Sequence, residues 1–173
     1  MGARLTINIS PTAFVSEKAD IEDSVRGSKI TFGENSYIDS FVKIKAAGGS
    51  GDIEIGRNVQ INSCCVLYIG NGIEIGDDSM VAAGVVFAPT NHEYLDDSKP
   101  IREQGFKKSK GGIHIGRDCW IGAGTVLLDG TWIGDGAVVG AMSLINGRIE
   151  PFSIGFGNPY RLTGYRNKII LAQ

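Results

Sequence analysis

The residue best suited to chemistry in this chain is His92, one of only two histidines among 173 residues. An ordinary imidazole titrates near neutral pH, so it can accept a proton from a hydroxyl group and release it within one turnover. His92 lies in a polar stretch that interrupts an otherwise aliphatic and glycine-rich chain. A loop histidine is often only solvated, but this setting predicts a general base.

The other candidates for chemistry offer less. His114 lies between two isoleucines, and because alternate residues of a strand share a face, it is predicted to point outward as an exposed strand residue. Cys64, Cys65 and Cys119 are an odd number without the spacing of metal ligands, which indicates reduced thiols. Two histidines cannot provide a three-histidine zinc site. We therefore expect no bound metal.

The elements that position His92 follow from a repeat of six residues. From Ile115 the chain reads IGRDCW, IGAGTV, LLDGTW, IGDGAV, VGAMSL and INGRIE, so every sixth residue is aliphatic and the next is usually glycine. A small residue recurs four places after each aliphatic one. The same register occurs in three earlier sets: Phe32, Ile38 and Ile44; Ile55, Ile61 and Leu67; Ile75, Val81 and Phe87.

A period of six matches neither a helix nor a simple alternating strand. Three such units make one coil of a triangular prism, and each unit supplies a short strand and a corner. The aliphatic residue and the small residue both face inward, and stacked coils pair as parallel strands. We expect glycine beside the aliphatic residue to provide positive φ at the corners. The sequence thus predicts an all-β parallel β-helix, a solenoid whose handedness the spacing leaves open.

One long interruption breaks the repeat between Phe87 and Ile113. An insertion of about 25 residues, at about residues 88–112, is unusual inside a compact domain and is typically functional or disordered. Insertions in solenoids often project from the binding face. His92 lies where this loop leaves the prism, so a rigid coil lies on one side of it and the loop on the other.

Bulk composition excludes several function classes. The formal net charge of -2 and the pI of about 5.7 give no electrostatic reason to expect nucleic acid or an anionic membrane surface. No apolar run approaches the roughly 20 residues of a transmembrane helix, and the N-terminus lacks the apolar region of a secretory signal. We expect one domain over residues 1–173 with a short C-terminal extension, a cytoplasmic location, no transmembrane segment and no nucleic-acid partner.

Four stretches of the chain carry a resemblance to a known family: NHEY, PIREQG, IHIGRDCWIGAGTVLLDGTWIGDGAVVGA and GNPYR. Over about residues 30–166 the chain resembles the hexapeptide-repeat O-acetyltransferases, particularly the galactoside, maltose and polysaccharide O-acetyltransferases. The resemblance implies a left-handed β-helix and a homotrimer with an active site in each groove between neighbours. It also implies transfer of acetyl from acetyl-CoA to a hydroxyl of a small-molecule sugar or polysaccharide precursor, with His92 as general base.

The resemblance further implies acceptor contacts around His92. Asn62 matches an asparagine that contacts substrate in the galactoside enzymes, although a corner residue that satisfies its own backbone fits the position nearly as well. Glu93 and Asp96 are both candidates to orient the second ring nitrogen of His92. The sequence does not choose between these two carboxylates.

For acetyl-CoA, the resemblance implies a groove along the late coils. The matching positions combine small residues, one tryptophan and polar or basic side chains: Trp120, Ala123, Ala141, Asn146, Arg148, Arg161 and Arg166. Trp120 fits equally well as an aromatic contact between the subunits of a trimer.

The chain departs from the family pattern near the adenosine end of that groove. Asn146–Gly147 replaces a Thr-Lys pair of many relatives, and Arg148 is the candidate replacement cation. Tyr160 stands where a small residue is usual, and Gly164 where a basic residue is expected, so that Arg166 becomes a candidate to compensate.

Other functions remain open on the same scaffold. An amino-sugar N-acetyltransferase would use the same donor and the same base. A non-catalytic scaffold would not need an ionisable side chain beside a long loop, which favours an enzyme. The γ-class carbonic anhydrases share the β-helix, but their zinc requires more histidines than this chain has.

Overall fold

In the computed structural model, which describes residues 4–24 and 26–166, short strands wind into the stacked coils of a triangular prism. Each coil adds one strand to each of three sheets, so every strand pairs with the strand three places later along the chain. All of these pairs are parallel except the last, in which the final strand turns back antiparallel on its predecessor. This arrangement confirms the predicted parallel β-helix.

The three faces of the prism are numbered in the order in which the chain meets them. Sheet 1 contains β1 (Thr6–Ile9), β4 (Lys29–Phe32), β7 (Ile53–Ile55), β10 (Ile73–Ile75), β13 (Ile113–Ile115), β16 (Thr131–Ile133) and β19 (Arg148–Ile149). Sheet 2 contains β2 (Phe14–Val15), β5 (Tyr37–Ile38), β8 (Gln60–Ile61), β11 (Met80–Val81), β14 (Trp120–Ile121), β17 (Val138–Val139), β20 (Ser153–Phe156) and β21 (Arg161–Tyr165). Sheet 3 contains β3 (Asp20–Ile21), β6 (Lys43–Lys45), β9 (Val66–Tyr68), β12 (Val86–Ala88), β15 (Val126–Leu128) and β18 (Leu144–Ile145).

Helix is nearly absent from the described part of the chain, where the one helical element is a 3-10 turn at Ile101–Glu103. Within the same residues no helix has the length and apolar character needed to cross a bilayer.

The core is a set of aliphatic columns that run along the prism axis. On sheet 2, Ile38, Ile61, Val81, Ile121 and Val139 stack in register, and each is fully buried. Burial of each such side chain contributes roughly 1.5–3 kcal/mol. The small residues four places after the aliphatic ones are buried as well, as the repeat predicts: Cys119, Thr125, Thr131, Ala137 and Ser143.

The glycines beside the aliphatic residues serve a different purpose from the predicted one. A Cβ at Gly33 would lie 2.6 Å from the carbonyl carbon of Gly56 in the next coil, and a Cβ at Gly76 would lie 2.7 Å from that of Gly116. These glycines do not have positive φ, so the expectation that they provide it is wrong; they let successive coils approach each other. The left-handed backbone occurs two residues later, at side chains that tolerate it: Asn35, Asn58, Asp78 and Asp118.

The C-terminal end of the prism is closed by the turn between β20 and β21. Tyr160 is half-buried there and packs over Gly155, where a Cβ would collide with the phenol ring. Burial raises the pKa of the Tyr160 phenol above its ordinary value. The tyrosine that replaces the usual small residue therefore covers the last coil.

The outer face of sheet 1 is polar and charged. His114 points outward as predicted, and its Nδ1 lies 3.0 Å from Oε2 of Glu74. Its ring stacks on Trp132 at a centroid distance of 5.6 Å, and the guanidinium of Arg148 lies 3.7 Å from the centroid of the same indole. These contacts engage the ring of His114 on the outer face of sheet 1.

The outer face of sheet 2, apart from Gln60, and the outer face of sheet 3 beyond its first two strands, where Asp20 and Lys43 pair, are mainly apolar instead. Sheet 2 presents a register column that includes Phe14, Tyr37, Met80 and Trp120, all between 41% and 51% exposed. Sheet 3 presents a column of half-buried aliphatic side chains: Val66, Val86, Val126 and Leu144. Two neighbouring faces of the isolated chain thus offer apolar surface, and the third does not.

The close approach of coils at the glycine positions predicts unequal costs for two alanine substitutions in one coil. Gly76→Ala places a Cβ against backbone that cannot rotate away, so we expect a loss near the upper end of the roughly 1–3 kcal/mol typical of overpacking. Gly84→Ala meets nothing within 4 Å and has φ +70, so only the left-handed penalty of about 1 kcal/mol applies. Urea unfolding of both variants measures the difference; equal losses would contradict this account.

Candidate active site

A short two-stranded ribbon at the base of the long loop positions His92. The loop leaves the prism after β12 and returns at β13, and near its base residues 91–93 run antiparallel to residues 105–107. His92 and Phe106 are directly opposite each other in this ribbon, and their ring centroids are 4.6 Å apart at an interplanar angle of 38°. Both ends of the ribbon continue into prism strands, so the imidazole is held against a rigid face.

The ribbon has two faces because alternate residues of an extended chain point in opposite directions. His92 and Phe106 occupy one face. Asn91 and Lys107 occupy the other, and the amide N–H of Lys107 donates to the carbonyl oxygen of Asn91 at 2.8 Å.

His92 lines a cavity of about 260 Å³ on the first face of the ribbon. The floor is the outer surface of sheet 3, and one wall is the corner that follows β6. The cavity walls are mainly apolar, with one hydroxyl and one imidazole among them: Ala47, Gly48, Tyr68, Ala88, Thr90, His92 and Phe106.

Thr90 brings a buried hydroxyl to this cavity. It fits there because two glycines leave room: a Cβ at Gly48 would lie 2.6 Å from Cγ2 of Thr90, and a Cβ at Gly70 would meet its hydroxyl oxygen. That oxygen is buried and has no hydrogen-bond partner among the residues described. An unpaired buried hydroxyl costs free energy, so the fit of Thr90 between the two glycines is not set by hydrogen bonding.

Neither predicted carboxylate orients His92 in this chain. Glu93 follows His92 in the ribbon, so its side chain is directed to the opposite face. Asp96 accepts hydrogen bonds from the backbone N–H and hydroxyl of Ser98 and pairs with Lys99 at 3.0 Å, which lowers its pKa. Among the described residues neither carboxylate accepts a hydrogen bond from the ring of His92, so this expectation is wrong for the single chain.

The PIREQG segment organises the tip of the loop through Gln104. The Gln104 amide oxygen accepts from the backbone N–H of Asp96 at 3.1 Å, and its Nε2 donates to the carbonyl oxygens of Asp96 at 2.7 Å and Lys99 at 3.0 Å. The side chain of Gln104, which follows the 3-10 turn, is therefore bonded to Asp96 and Lys99, which precede it. This explains structurally why glutamine follows the 3-10 turn.

Asn62 and His92 lie at different corners of the prism. Asn62 follows β8 at the corner between sheets 2 and 3, and its Nδ2 donates to the carbonyl oxygen of Val81 at 2.8 Å. His92 lies at the corner between sheets 3 and 1. One chain therefore does not bring them together, and the Asn62 side chain bonds the backbone of the next coil rather than its own.

The small donor-site residues and Trp120 form a strip along one edge. Trp120 lies on the outer face of sheet 2 and is 51% exposed. Ala123 and Ala141 are exposed at the following corner in successive coils, where the N–H of Met142 donates to the carbonyl oxygen of Ala123 at 2.8 Å. The structure thus aligns Ala123 and Ala141 along the prism axis, with Trp120 on the adjoining face of the same coil as Ala123.

Asn146 and Arg148 line a second cavity, of about 410 Å³, at the corner between sheets 3 and 1. Pro159 and Tyr160 of the C-terminal turn form its other side. Arg148 is held by stacking on the indole described above and by a hydrogen bond from its Nε to Glu150 at 3.2 Å. Its cation is therefore fixed beside this cavity.

Arg161 and Arg166 do not line the cavity of Asn146 and Arg148. Arg161 is exposed at the start of β21, opposite Phe156. Arg166 pairs with Asp118 at 2.6 Å, at the corner between sheets 1 and 2. Within one chain Arg166 is thus at a different corner from Arg148.

The cysteines are thiols inside or beside the prism wall. Cys64 is exposed, whereas Cys65 and Cys119 are buried, and none of the three is in a disulfide. Burial raises the pKa of the Cys65 thiol to about 11. Throughout the described ranges no three or more histidine, cysteine or acidic side chains group as metal ligands would.

Sequence reasoning missed four residues around the loop: Tyr68, Thr90, Phe106 and Asp129. Asp129 is the one with a visible signal, since Asp-Gly at a corner is typical of a turn. It is buried, and its two carboxylate oxygens accept the backbone N–H groups of Lys110 at 2.9 Å and Gly112 at 3.0 Å. Asp129 therefore fastens the returning end of the loop to the prism.

Comparisons with known proteins support this architecture. The model described as "Bacterial transferase hexapeptide (six repeats)" matches residues 112–147, and "Hexapeptide repeat of succinyl-transferase" matches residues 53–87. A Mycobacterium tuberculosis protein named as an acetyltransferase is 32% identical over 88% of this chain, and a Staphylococcus aureus acetyltransferase is 34% identical over 64%. The chain spans only 50% and 54% of the length of these two relatives.

A third relative matches over more of its own length. Escherichia coli WbbJ, named for O-acetyl transfer in lipopolysaccharide biosynthesis, is 30% identical over 77% of this chain and 70% of its own length.

Solved structures show the same fold. A mutant of the Bacillus cereus N-acyltransferase AntD, in complex with coenzyme A and dTDP-4-amino-4,6-dideoxyglucose, has a TM-score of 0.76 at 24% identity, covering 95% of this chain and 86% of that one. A Vibrio cholerae hexapeptide-repeat acetyltransferase in complex with acetyl-CoA has a TM-score of 0.59 at 23% identity, covering 78% and 69%. These likenesses confirm the predicted left-handed form of the parallel β-helix.

The position of Asp129 predicts a local effect of its removal. Asp129→Asn replaces one acceptor oxygen by an amide donor, so one buried backbone N–H loses its partner at a cost of about 1–3 kcal/mol. Amide hydrogen exchange of residues 107–112 should accelerate, while exchange in the core strands stays slow. Asp97→Asn, which changes an exposed carboxylate of the same loop, is the control; equal acceleration in both variants would contradict the role of Asp129.

Proposed function

We propose, for a chain that belongs to the bacterial hexapeptide-repeat transferase family, that it transfers an acetyl group from acetyl-CoA to a hydroxyl group of a sugar. The acceptor is a small sugar or a polysaccharide precursor, as the name of WbbJ supports. The acetyl-CoA and coenzyme A complexes of the similar structures support the donor.

The observation that carries this proposal is the position of His92. His92 faces a mainly apolar cavity at the base of the long loop, whereas the ring of His114 is engaged by Glu74 and Trp132 on the charged outer face of sheet 1. The cavity opens beside an apolar prism face, and Phe106 limits the rotation of the His92 ring. An exposed imidazole held in this way can meet a hydroxyl group of a ligand at hydrogen-bond distance.

The chemistry follows from the roles that these side chains can fill. His92 takes the proton as the acceptor oxygen attacks the carbonyl carbon of the thioester, and a C–O bond forms. When the C–S bond breaks, the same proton passes from His92 to the sulfur of coenzyme A. Tyr68 and Phe106 offer aromatic surfaces to the apolar face of a sugar ring.

The two apolar faces support assembly as a homotrimer. Contact between the apolar faces of neighbouring copies would remove exposed aromatic and aliphatic side chains from solvent and leave the charged face of sheet 1 in solvent. Three triangular prisms that meet at their edges leave wedge-shaped grooves between neighbours. Each groove would have His92 of one copy on one wall and the Trp120 strip of the adjacent copy on the other.

The donor is proposed to lie along that groove. Trp120, Ala123 and Ala141 form its apolar wall, while Asn146, Arg148 and Arg161 provide polar and basic groups toward the C-terminal end. The three unbonded cysteines support a reducing compartment, so the proposed location is the cytoplasm.

N-acetylation of an amino sugar is a second candidate, and one observation favours it. The AntD structure that covers 95% of this chain contains a nucleotide-linked amino sugar, and AntD is an N-acyltransferase. The same base would serve both reactions, because either acceptor atom loses one proton. A panel of matched hydroxy and amino sugars, with release of coenzyme A thiol as the signal, separates the two.

The first test of the proposal compares the two histidines. His92→Ala removes the base, so kcat/KM for acetyl transfer should fall by about 10²–10⁴-fold. His114→Gln retains a hydrogen-bonding group beside Glu74 and should keep most of the activity. Light scattering checks that both variants have the same assembly state as the wild type, and near-normal turnover by His92→Ala would exclude its role.

The second test concerns the donor. Acetyl-CoA at a hundredfold excess over its Kd should stabilise the native state by about 2.7 kcal/mol and raise Tm accordingly. Arg148→Ala and Arg161→Ala should reduce this rise, because each removes a cation from the proposed groove. Arg102→Ala, on the loop tip, is the charge-matched control. No change in Tm at millimolar acetyl-CoA would contradict the assignment of the donor.

A further inference from the structure

The second face of the ribbon borders a separate cavity of about 240 Å³. It lies between the returning end of the loop and the corner that follows β15. Six of its lining residues are polar or charged, and three of these are lysines from one short segment: Asn91, Lys107, Lys108, Lys110, Asp129 and Asn146.

The three lysines have no carboxylate partner within 4.0 Å among the described residues, in contrast to the other charges of the loop. Lys99 pairs with Asp96 at 3.0 Å and Arg102 with Glu103 at 3.7 Å, so the cations of the tip are matched locally. The single carboxylate in the cavity, Asp129, already accepts one backbone N–H on each oxygen. Positive charge in this cavity is therefore in excess.

All three lysines line this one cavity, and two of them are restrained by neighbouring residues. The Nζ of Lys107 lies 3.8 Å from the ring centroid of Tyr94, a cation–π contact that fixes its side chain. Asp129 fixes the backbone at Lys110. Like charges that are confined in this way repel each other, and a multiply charged anion would relieve that repulsion.

The chemistry of the lining selects the kind of anion. Three lysines and two asparagines, Asn91 and Asn146, line this small space, and their side chains carry many hydrogen-bond donors. Phosphate and diphosphate groups have the several acceptor oxygens and the charge that such a set matches, and lysine binds them as a point charge.

We propose that this cavity binds a phosphate or diphosphate group of one of the two substrates, an inference that rests on the proposed function. The ribbon then carries the base on one face and the phosphate site on the other, one residue apart at Asn91 and His92. Asn146 also lines the cavity of Arg148, so the two cationic regions adjoin. The loop lysines would supply the positive charge that Asn146–Gly147 lacks.

The test measures binding of inorganic pyrophosphate to the assembled protein by calorimetry at constant ionic strength. Lys108→Ala/Lys110→Ala should weaken its Kd by at least about tenfold, since each lost charge-assisted hydrogen bond is worth that much or more. Lys108→Arg/Lys110→Arg should bind within about threefold of the wild type, because the charge remains. The control Lys99→Ala/Arg102→Ala removes the same charge from the same loop and should change Kd by less than about twofold.

Two results of this comparison would overturn the site: unchanged pyrophosphate binding by the alanine pair, or an equal loss in the control pair, which would reflect net charge alone. Parallel titrations with coenzyme A, 3′-dephospho-coenzyme A and uridine diphosphate identify the source of the phosphate. If the Lys108→Ala/Lys110→Ala variant binds the two coenzymes more weakly than the wild type does, the cavity belongs to the donor. If the variant binds uridine diphosphate more weakly, the cavity belongs to the acceptor. If the variant binds the coenzymes and uridine diphosphate with the same Kd as the wild type, the inference is wrong.

These binding measurements need no turnover, so they separate the site from the reaction. His92→Ala should bind pyrophosphate like the wild type. If acetyl transfer is absent while pyrophosphate binding still depends on Lys108 and Lys110, the proposed function fails and the anion site stands.

Discussion

The fold depends on the requirement that every coil lies at parallel-strand distance, about 4.8 Å, from the next around the whole triangle. This spacing is hardest to keep at the corners, where the chain must turn. The same residue types therefore recur at the corners of successive coils. Glycine removes the Cβ that would touch the next coil, and asparagine or aspartate accepts the left-handed turn. Asp77 and Asp135 each accept the backbone N–H and pair with the guanidinium of an arginine one coil away, Arg57 and Arg117, which lowers both aspartate pKa values.

This regularity is what gives the loop a defined geometry. The walls beneath it are strands in register, so Tyr68 and Ala88 lie side by side on the outer surface of sheet 3, and the ribbon rests against them. Gln104 fastens the tip and Asp129 fastens the returning end. The imidazole of His92 is thus placed by hydrogen bonds at the tip and at the returning end of the insertion, and not by packing inside a core.

Much of the prism could be predicted because its rules are local. The inward positions, the outward direction of His114 and the limits of the interruption all follow from counting in sixes, and the structure confirms them. The role of glycine in letting coils approach each other does not follow from the repeat, because this contact joins residues about twenty apart in sequence, such as Gly33 and Gly56.

The surroundings of His92 could not be predicted in the same way. The pairing of His92 with Phe106 joins two halves of an irregular loop, and no periodicity reports it. Glu93 and Asp96 were attractive because they are near in sequence, but alternation along the ribbon and the hydrogen bonds from Ser98 direct them elsewhere. The lysine cavity likewise depends on where the returning strand of the ribbon lies, which the sequence alone does not specify.

The way the loop is attached has a consequence for how such proteins diversify. At the same corner the chain passes from β9 to β10 through residues 69–72 and from β12 to β13 through residues 89–112, yet the strands on both sides stack in the same register. The long insertion is therefore a module that the prism does not need in order to close. Replacement of this insertion by a different loop, in evolution or by design, can therefore alter the ligand that is bound while the stacked strands of the prism stay the same.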